Sequence, residues 1–222
     1  PTILGLKEGE QLSLSELIRA SISTSANDAA ATIAQGISTQ FGLQLKDYIE
    51  LMNLKAKTIG MTDSHFVNPE GYDDQDQKTT IVDLVKLVDN ALSYPPIASA
   101  GGANRQDIAK TPTHGFYYLP NWNGLLGVYP GVSGLKIART QNMGYATIVI
   151  SQRKDTSIAV ILQGAKTLLE RDATAAALLD LGFSQEKIDP VNLSIATLKK
   201  KYKIWDDLAI KIKTELGLLQ KP

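Results

Sequence analysis

The sequence predicts an α+β fold, with helices first and antiparallel strands after them. Apolar residues recur at helical spacing between Leu14 and Leu92, whereas short segments separated by Gly, Pro and Asn follow Pro112. Because helices and strands do not alternate regularly, the pattern disfavours a doubly wound parallel sheet. At 222 residues the chain is long enough for one large domain, or for a domain with an appendage.

The first two helices are predicted near the start of the chain. Ser13 and Glu16 have the spacing of a capping box ahead of the first helix, and the second is expected to begin at 25–28. Apolar residues at helical spacing form the inward face of each helix: Leu14, Leu17, Ile18 and Ile22 in the first, and Ala30, Ile33, Ala34 and Ile37 in the second.

Two further helices are expected before the strands. The third stops at Gly60; Thr80 caps the fourth, which Pro95 and Pro96 end. Their inward faces are predicted to be Leu45, Tyr48, Ile49, Met52, Ala56 and Ile59, and Ile81, Leu84, Val85, Val88 and Leu92.

The strand region is expected to contain a hairpin followed by a helix. Segments 145–150 and 157–162 alternate as strands do, and the polar run 152–155 between them predicts the turn. The helix after the hairpin is predicted to close at Gly182 and Phe183. Its inward face is predicted to be Leu168, Ala175, Ala176 and Leu179.

A different tail begins at Pro190. Its apolar residues have helical spacing amid many lysines: Ile204, Trp205, Leu208, Ile212 and Leu216. One interpretation is an amphipathic helix that packs on the body or on a neighbouring module. The alternative is contact with a membrane surface, which basic amphipathic helices also make.

Composition excludes several classes of function. Lys plus Arg and Asp plus Glu number 23 each, so net charge gives no reason to expect nucleic acid or an anionic membrane as the main partner. Without cysteine there are no disulfides or thiolate metal sites. His65 and His114 share no ligand spacing and are expected in a turn or on the surface, so neither a metal nor a cofactor is predicted.

Three segments carry residues suited to chemistry. The first is Ser25-Ala-Asn27-Asp28, which by itself is typical of a helix N-cap. The second runs from Gly131 through Lys136 to Thr140, where a lysine is usually on the surface. The third contains Arg171, which by itself indicates a solvated side chain near the start of a helix.

The order and spacing of these segments resemble the low-molecular-mass serine D-Ala-D-Ala carboxypeptidases, which are penicillin-binding proteins. That family uses Ser-x-x-Lys, then Ser-x-Asn, then Lys-Thr-Gly. Ser25-Ala-Asn27 and Lys136-Ile-Ala-Arg-Thr140 match the second and third motifs in order. Further stretches similar to the family are Gly5–Glu10, Gly60–Gly71, Asn121–Leu126, Gly144-Tyr145 and the segment around Arg171 up to Phe183.

The resemblance implies a fold, a location and partners. It implies a β-lactamase and penicillin-binding-protein-like fold, incomplete here, with a transpeptidase-like domain at 1–184 that lacks its N-terminal part and a helical tail at 185–222. The expected substrate is the peptidoglycan stem peptide, trimmed outside the cytoplasm on the periplasmic or cell-wall side. β-Lactams are expected to bind a complete protein.

Catalytic roles follow from the resemblance. Ser25 would belong to the proton relay around the nucleophile, because a hydroxyl both donates and accepts. Asn27 would hold the backbone amide of the substrate. Lys136 would add positive charge that depresses neighbouring proton affinities and stabilises developing negative charge.

Substrate contacts are implied in the same way. The backbone N–H of Arg139 would be one oxyanion-hole donor, and Thr140 is expected to contact substrate. Arg171 matches the arginine that binds the terminal carboxylate, which suits a planar bidentate donor. We expect Ser25, Asn27, Lys136 and Arg171 to converge on one groove.

Two features depart from the family pattern. The Ser-x-x-Lys helix would precede Pro1, and the local matches Ser151–Lys154 and Ser184–Lys187 are rejected because neither is expected at the start of a buried helix. Ile137 and Ala138 replace Thr and Gly, which removes a hydroxyl and adds a methyl group against the substrate strand.

Three functions remain open from the sequence. The favoured one is a serine D-Ala-D-Ala carboxypeptidase whose nucleophile lies outside these residues, so that the 222 residues alone are expected to show no turnover. The second is a non-catalytic relative that binds stem peptides or a partner. A β-lactamase fits less well, because the chain has no convincing counterpart of that family's Glu-bearing loop.

Overall fold

The computed structural model describes residues 2–215 as helices gathered around a three-stranded antiparallel sheet. In chain order the elements are α1 (Leu14–Arg19), a π-helical turn (Ala20–Thr24), α2 (Asn27–Gln40), α3 (Leu45–Thr58), α4 (Ile81–Leu92), α5 (Pro95–Gly102), β1 (Val132–Thr140), β2 (Gly144–Arg153), β3 (Thr156–Ala165), α6 (Leu168–Gln185) and α7 (Ile195–Glu215). Helices precede the strands, as predicted for an α+β fold.

Local capping signals are confirmed where the sequence is most explicit. Ser13 accepts a hydrogen bond from the N–H of Glu16, whose carboxylate accepts from the N–H of Ser13, so both halves of the capping box form. Thr80 likewise accepts from the N–H of Asp83 at the start of α4. Each bond satisfies a backbone donor that a helix terminus would otherwise leave unpaired.

The prolines at 95 and 96 behave differently from the prediction. They come after α4, but they also begin α5, a helix that the sequence pattern did not indicate. Proline is well tolerated in the first helical turn, because its missing N–H would have no partner there. Its fixed φ also suits the helix, so one pair of residues serves both elements.

The apolar face of α4 is only partly covered. Val88 is 5% exposed and packs with Leu135 and Ile150 of the sheet, whereas Ile81 and Val85 are 45% and 56% exposed. The prediction that the whole stripe turns inward is therefore wrong for Ile81, Val85 and Leu92. Helical spacing identifies an apolar stripe, but it does not determine how wide the surface is that covers it.

The sheet has the order β1-β2-β3, and the predicted hairpin joins β2 to β3. Arg153 pairs with Thr156 across a tight turn, which confirms the interpretation of 152–155. At the entry to β1, Gly131 has φ +74°, and a Cβ there would lie 1.9 Å from the carbonyl oxygen of Gln152. Only glycine fits so close to the neighbouring strand, and this approach fixes where β1 begins.

The main core lies between the sheet and α6. Fully buried residues of α6 and the strands meet there, among them Val149, Ala175, Leu179 and Phe183. The helix predicted to close at Gly182 and Phe183 continues to Gln185, because Gly182 fits against Ile158 and Phe183 extends the buried face. A glycine inside a helix costs about 1 kcal/mol relative to alanine, which packing here outweighs.

The tail helix α7 packs on the body of the protein. Leu198 lies in the main core, and Trp205 meets the ring of Trp122 edge-on at 5.3 Å. Ile204 and Ile210, in contrast, are 53% and 57% exposed on the outer side. Leu216, predicted in the same stripe, lies outside the described residues. Within 2–215 there is no helix with the length and hydropathy that a membrane span requires.

The segment that joins α6 to α7 is held by one carboxylate. Asp180 accepts hydrogen bonds from the backbone N–H groups of Val191 and Asn192, at 2.7 and 2.9 Å, and from the hydroxyl of Tyr129 at 2.7 Å. These bonds fix the direction in which the chain enters α7. Residue 184, where the domain boundary is predicted, lies in the last turn of α6.

The N-terminal segment is expected to lose stability in acid through Glu10. The hydroxyl of Tyr117 and the N–H groups of Lys7 and Gly115 donate to this carboxylate, and they lower the pKa of Glu10 from 4.5 to about 2. Because the folded pKa is depressed, the stabilising contribution is complete above the unfolded pKa and is lost as the pH falls towards about 2.

Urea midpoints measured between about pH 5 and about pH 2 test this expectation. They should decline less steeply for Glu10→Gln than for the parent chain. Glu8→Gln is the matched control, since Glu8 is exposed and belongs to the same turn. Equal slopes for Glu10→Gln and the parent would contradict the assignment.

Candidate functional site

Ser25 occupies an unusual backbone position. It follows the π-helical turn and has φ 61° and ψ 39°, in the left-handed region that non-glycine residues rarely adopt. The N-cap of α2 is Ala26, which makes no side-chain capping bond, so the N-cap interpretation is wrong for Ser25, while Asp28 accepts from the first-turn N–H of Ala29 at 3.0 Å. The hydroxyl of Ser25 is therefore not consumed by capping and is free for another partner.

That partner is Lys136, on the β1 strand. Its Nζ donates to the Oγ of Ser25 at 2.5 Å and to the backbone oxygen of Ile137. Burial lowers the pKa of Lys136 to about 8, and the positive charge of Arg171 contributes in the same direction. The structure thus joins the second and third sequence motifs by a direct contact between residues 111 positions apart.

Ser25 and Lys136 line a small cavity of about 230 Å³. Its wall is completed by residues of the π-helical turn, the start of α2 and the loop before α4, namely Ser21, Ile22, Ala26, Ala30, Pro69 and Glu70. The cavity is open to solvent, and its lining is half apolar and half polar, with four residues of each kind. A small acyl group would find both shape and a hydroxyl there.

Asn27 lines a larger cleft and bonds a residue in the wall of the small cavity. Its side-chain nitrogen donates to the backbone oxygen of Glu70 at 3.0 Å, and the residue also lines a cleft of about 740 Å³. Asn27 thereby fixes the loop that forms the opposite wall. The amide that was predicted to hold a substrate is, in this structure, bonded to the protein's own backbone.

Arg139 and Thr140 line the larger cleft at the end of β1. The guanidinium of Arg139 lies over the ring of Tyr145, 5.0 Å from its centroid. Thr140 accepts from the N–H of Met143 at 2.9 Å, and its hydroxyl is also the main cause that lowers the pKa of Asp73. The Thr140 side chain thus organises the turn after β1, while Arg139 presents a cation to the cleft.

Arg171 does not reach the groove. It is 1% exposed, and its guanidinium donates to Asp172 at 2.8 Å and to the backbone oxygen of Trp122 at 2.7 Å. A buried guanidinium requires such partners, because an unpaired charge in the interior is very unfavourable. The structure therefore brings Ser25 and Lys136 into one cavity and places Asn27 at the larger cleft, whereas Arg171 lines neither and affects Lys136 through its charge.

The two local Ser-x-x-Lys matches lie away from this arrangement. Ser151 is fully buried on β2 and donates to the backbone oxygen of Pro130, while Lys154 sits in the hairpin turn. Ser184 is in the last turn of α6, and Lys187 comes after the end of that helix. Neither pair starts a buried helix, in agreement with the reasons for rejecting them.

The two histidines do not form a metal site among the described residues. His65 bonds the backbone oxygen of Asp76 in the loop before α4. His114, predicted at a turn or on the surface, is 6% exposed, with Nε2 3.6 Å from Glu16. Glu16 reaches it from the first turn of α1, a contact between distant parts of the chain that the sequence pattern does not indicate.

Several residues of the larger cleft were not predicted. Tyr72 and Asp73 come from the loop before α4, and Lys166 lies just after β3. The carboxylate of Asp73 accepts from the N–H of Asn142 at 3.1 Å, so the loop is tied to the turn between β1 and β2. The segment Gly60–Gly71 is similar to the family in sequence, but nothing local indicates that the residues at its end face the end of β1.

A family model described as D-alanyl-D-alanine carboxypeptidase, peptidase S11, matches residues 3–167. The carboxypeptidase DacF of Bacillus subtilis is 29% identical over 199 residues, covering 88% of this chain and 50% of DacF. DacC of Escherichia coli is 30% identical over 185 residues, covering 82% of this chain and 44% of DacC. The chain thus spans about half the length of these curated relatives.

Solved structures agree on the fold. The Streptomyces K15 DD-transpeptidase has a TM-score of 0.75 at 21% identity, over 83% of this chain and 72% of that one. Penicillin-binding protein D2 of Listeria monocytogenes, in its cefotaxime-bound form, has a TM-score of 0.65 at 27% identity, over 78% of this chain and 67% of that one. The predicted β-lactamase and penicillin-binding-protein-like fold is confirmed.

Proposed function

The chain belongs to the peptidase S11 family of D-alanyl-D-alanine carboxypeptidases. We therefore propose that it supplies the proton-transferring and charge-stabilising residues of an active site that trims peptidoglycan. The substrate is a stem peptide that ends in D-Ala-D-Ala, and the reaction is acyl transfer through a serine. This site acts outside the cytoplasm, where that peptide is found. The observation that carries the proposal is the contact of 2.5 Å between Lys136 and Ser25.

In the proposed mechanism the attacking serine belongs to a Ser-x-x-Lys helix that is not among these 222 residues. Its oxygen attacks the carbonyl between the two alanines while its proton passes towards Ser25. The terminal D-Ala leaves with a proton, and water then hydrolyses the acyl-enzyme. Lys136 stabilises the negative charge that develops, because a cation in a partly buried site interacts more strongly than one in water.

Substrate contacts divide between the two cavities. The backbone of β1 at Arg139 is suited to donate to the oxyanion, and the side chain of Arg139 supplies a cation for the free carboxylate. This second role replaces the one predicted for Arg171, whose donors are engaged by Asp172 and Trp122. Ile137 offers no hydroxyl to that carboxylate, and losing one charge-assisted bond typically costs about 1.5–3 kcal/mol.

The gene upstream of the codon for Pro1 provides the test. Where it encodes a Ser-x-x-Lys in frame, we expect the complete product to be acylated by a labelled penicillin and to release D-Ala from a D-Ala-D-Ala peptide. The 222 residues alone should release none. A folded complete product that carries Ser-x-x-Lys and takes no label at saturating dose would refute the enzyme and favour the peptide-binding relative, to which Ile137 and Ala138 point.

The outer face of α7 is proposed to contact an anionic membrane surface. Ile204 and Ile210 are exposed there, and the same helix carries the exposed lysines Lys199, Lys200, Lys203, Lys211 and Lys213. Apolar groups with surrounding lysines bind at the interface of anionic bilayers. The inward face of α7 remains packed on the body, so the contact would be peripheral.

Sedimentation with phosphatidylglycerol-containing vesicles tests this contact. Binding should weaken when Ile204 and Ile210 are both changed to Glu, and it should weaken at high salt. Leu181→Glu is the matched control, because Leu181 is 57% exposed and belongs to α6 rather than to the helix that carries these lysines. Sedimentation that is unaffected by Ile204→Glu with Ile210→Glu would exclude this surface.

A further inference from the structure

Ser25 combines two features that are usual for a nucleophile. Its φ of 61° sets it at a sharp change of direction between the π-helical turn and α2, and such strained positions concentrate at functional sites. Its hydroxyl faces a lysine at 2.5 Å and lines an open cavity. A hydroxyl within hydrogen-bonding reach of a base is the arrangement from which covalent catalysis starts.

We propose that Ser25 is itself a nucleophile towards activated carboxylic esters, with Lys136 as its general base. This goes beyond the proposed function, in which Ser25 only relays a proton for another serine. It is a property of the 222 residues as they stand, since both groups are among the described residues. The ligand class is a small ester with a good leaving group, whose acyl part fits the cavity of about 230 Å³.

The step balances within the site. The neutral Nζ of Lys136 accepts the proton of the Ser25 hydroxyl, and Oγ forms a bond to the carbonyl carbon of the ester. The carbon–oxygen bond to the leaving group then breaks, and the leaving group departs with the electron pair as its anion. The products are an ester at Ser25, a protonated Lys136 and the free alcoholate or phenolate.

The charges around Lys136 favour a base that works near neutral pH. Arg171, on α6, contributes a like charge, and burial of Lys136 acts in the same direction, so that its pKa is lowered to about 8. Glu70, from the loop before α4, lines the same cavity and is the acidic residue of its wall. The rate of acylation is therefore expected to rise as the pH increases through about 8 and then to level off.

The probe is 4-nitrophenyl acetate, mixed with the purified 222 residues. We expect a burst of nitrophenolate close to one equivalent and an acetyl group on Ser25, located by tandem mass spectrometry. Acetyl groups on surface lysines are amides, whereas the group on Ser25 is an ester. Alkaline hydroxylamine removes the ester and leaves the amides, which separates the two.

Variants test each partner in the proposed pair. Ser25→Ala should abolish the hydroxylamine-sensitive label, and Lys136→Met should slow labelling by about 10²–10⁴-fold. Lys136→Arg keeps a positive charge but provides no base at these pH values, so it should lose labelling as well. Ser15→Ala is the matched control, because Ser15 is an exposed serine of α1 that lines neither cavity.

Circular dichroism spectra and urea midpoints of all variants establish that the variants fold. Folded parent chain without a label at Ser25 would overturn the proposal, as would equal labelling of the parent and Lys136→Arg. Loss of the label in Ser15→Ala, with labelling kept in Ser25→Ala, would assign the reaction to another serine and would overturn the proposal too. D-Ala release by the complete protein measures a different serine, so the two proposals fail independently.

Discussion

Replacing Asp172 with alanine is expected to lower the free energy of unfolding by about 3–5 kcal/mol. The carboxylate is fully buried and accepts from the guanidinium of Arg171 at 2.8 Å and from the hydroxyl of Tyr202 at 2.8 Å. Without it, Arg171 would keep a positive charge in the interior with only the backbone oxygen of Trp122 as a partner. Urea denaturation followed by circular dichroism measures the change.

Two comparisons separate the charge from the packing. Tyr202→Phe removes one hydrogen bond to Asp172 and should cost only about 1 kcal/mol. The double variant Arg171→Met with Asp172→Leu removes both charges and should recover much of the loss, because apolar residues of similar volume often replace a buried ion pair without penalty. A loss below about 1 kcal/mol for Asp172→Ala would show that the pair contributes little.

The second large effect is expected at Lys136 in the complete protein. Lys136→Met should slow acylation by a labelled penicillin by about 10²–10⁴-fold, because it removes both the cation near the developing charge and the donor that holds Ser25. The Ser25 contact at 2.5 Å would be lost, while the β1 backbone that carries residue 136 keeps its pairing with β2. Stopped-flow or gel-based labelling over time gives the rate constants.

Lys110→Met is the matched control for that experiment, because Lys110 is exposed and lies after the first five helices without contacting the site. Its rate should equal that of the parent. The Lys136 assignment fails if Lys136→Met acylates within about threefold of the parent while its urea midpoint is unchanged.

Much of the fold can be predicted from short-range signals. The Ser13-x-x-Glu16 box and the Thr80 cap concern neighbours along the chain, so a linear pattern contains the whole interaction. The β2–β3 hairpin was predictable for the same reason. Proline is compatible both with the end of a helix and with the first turn of another. Pro95 and Pro96 therefore indicated the end of α4, but the sequence did not indicate that they also begin α5.

The site was predictable from motif order, but its geometry was not. Ser25 and Lys136 are 111 residues apart, and their contact depends on how β1 passes the π-helical turn. The position of Arg171 was not predictable for a different reason. Whether Arg171 faces solvent or the interior depends on Asp172 beside it and on Trp122 and Tyr202 from remote elements, and no local pattern encodes that competition.

The hydrogen bonds by which Asp180 holds the segment between α6 and α7 have an evolutionary consequence. Because Val191, Asn192 and Tyr129 share one carboxylate, the segment after α6 cannot act as an interchangeable tether onto which any module is grafted. A recombination event in that segment would have to preserve both the spacing and the direction of the incoming helix. Lineages that retain these hydrogen bonds should therefore rarely replace α7 by recombination, and only together with the residues that lead into it.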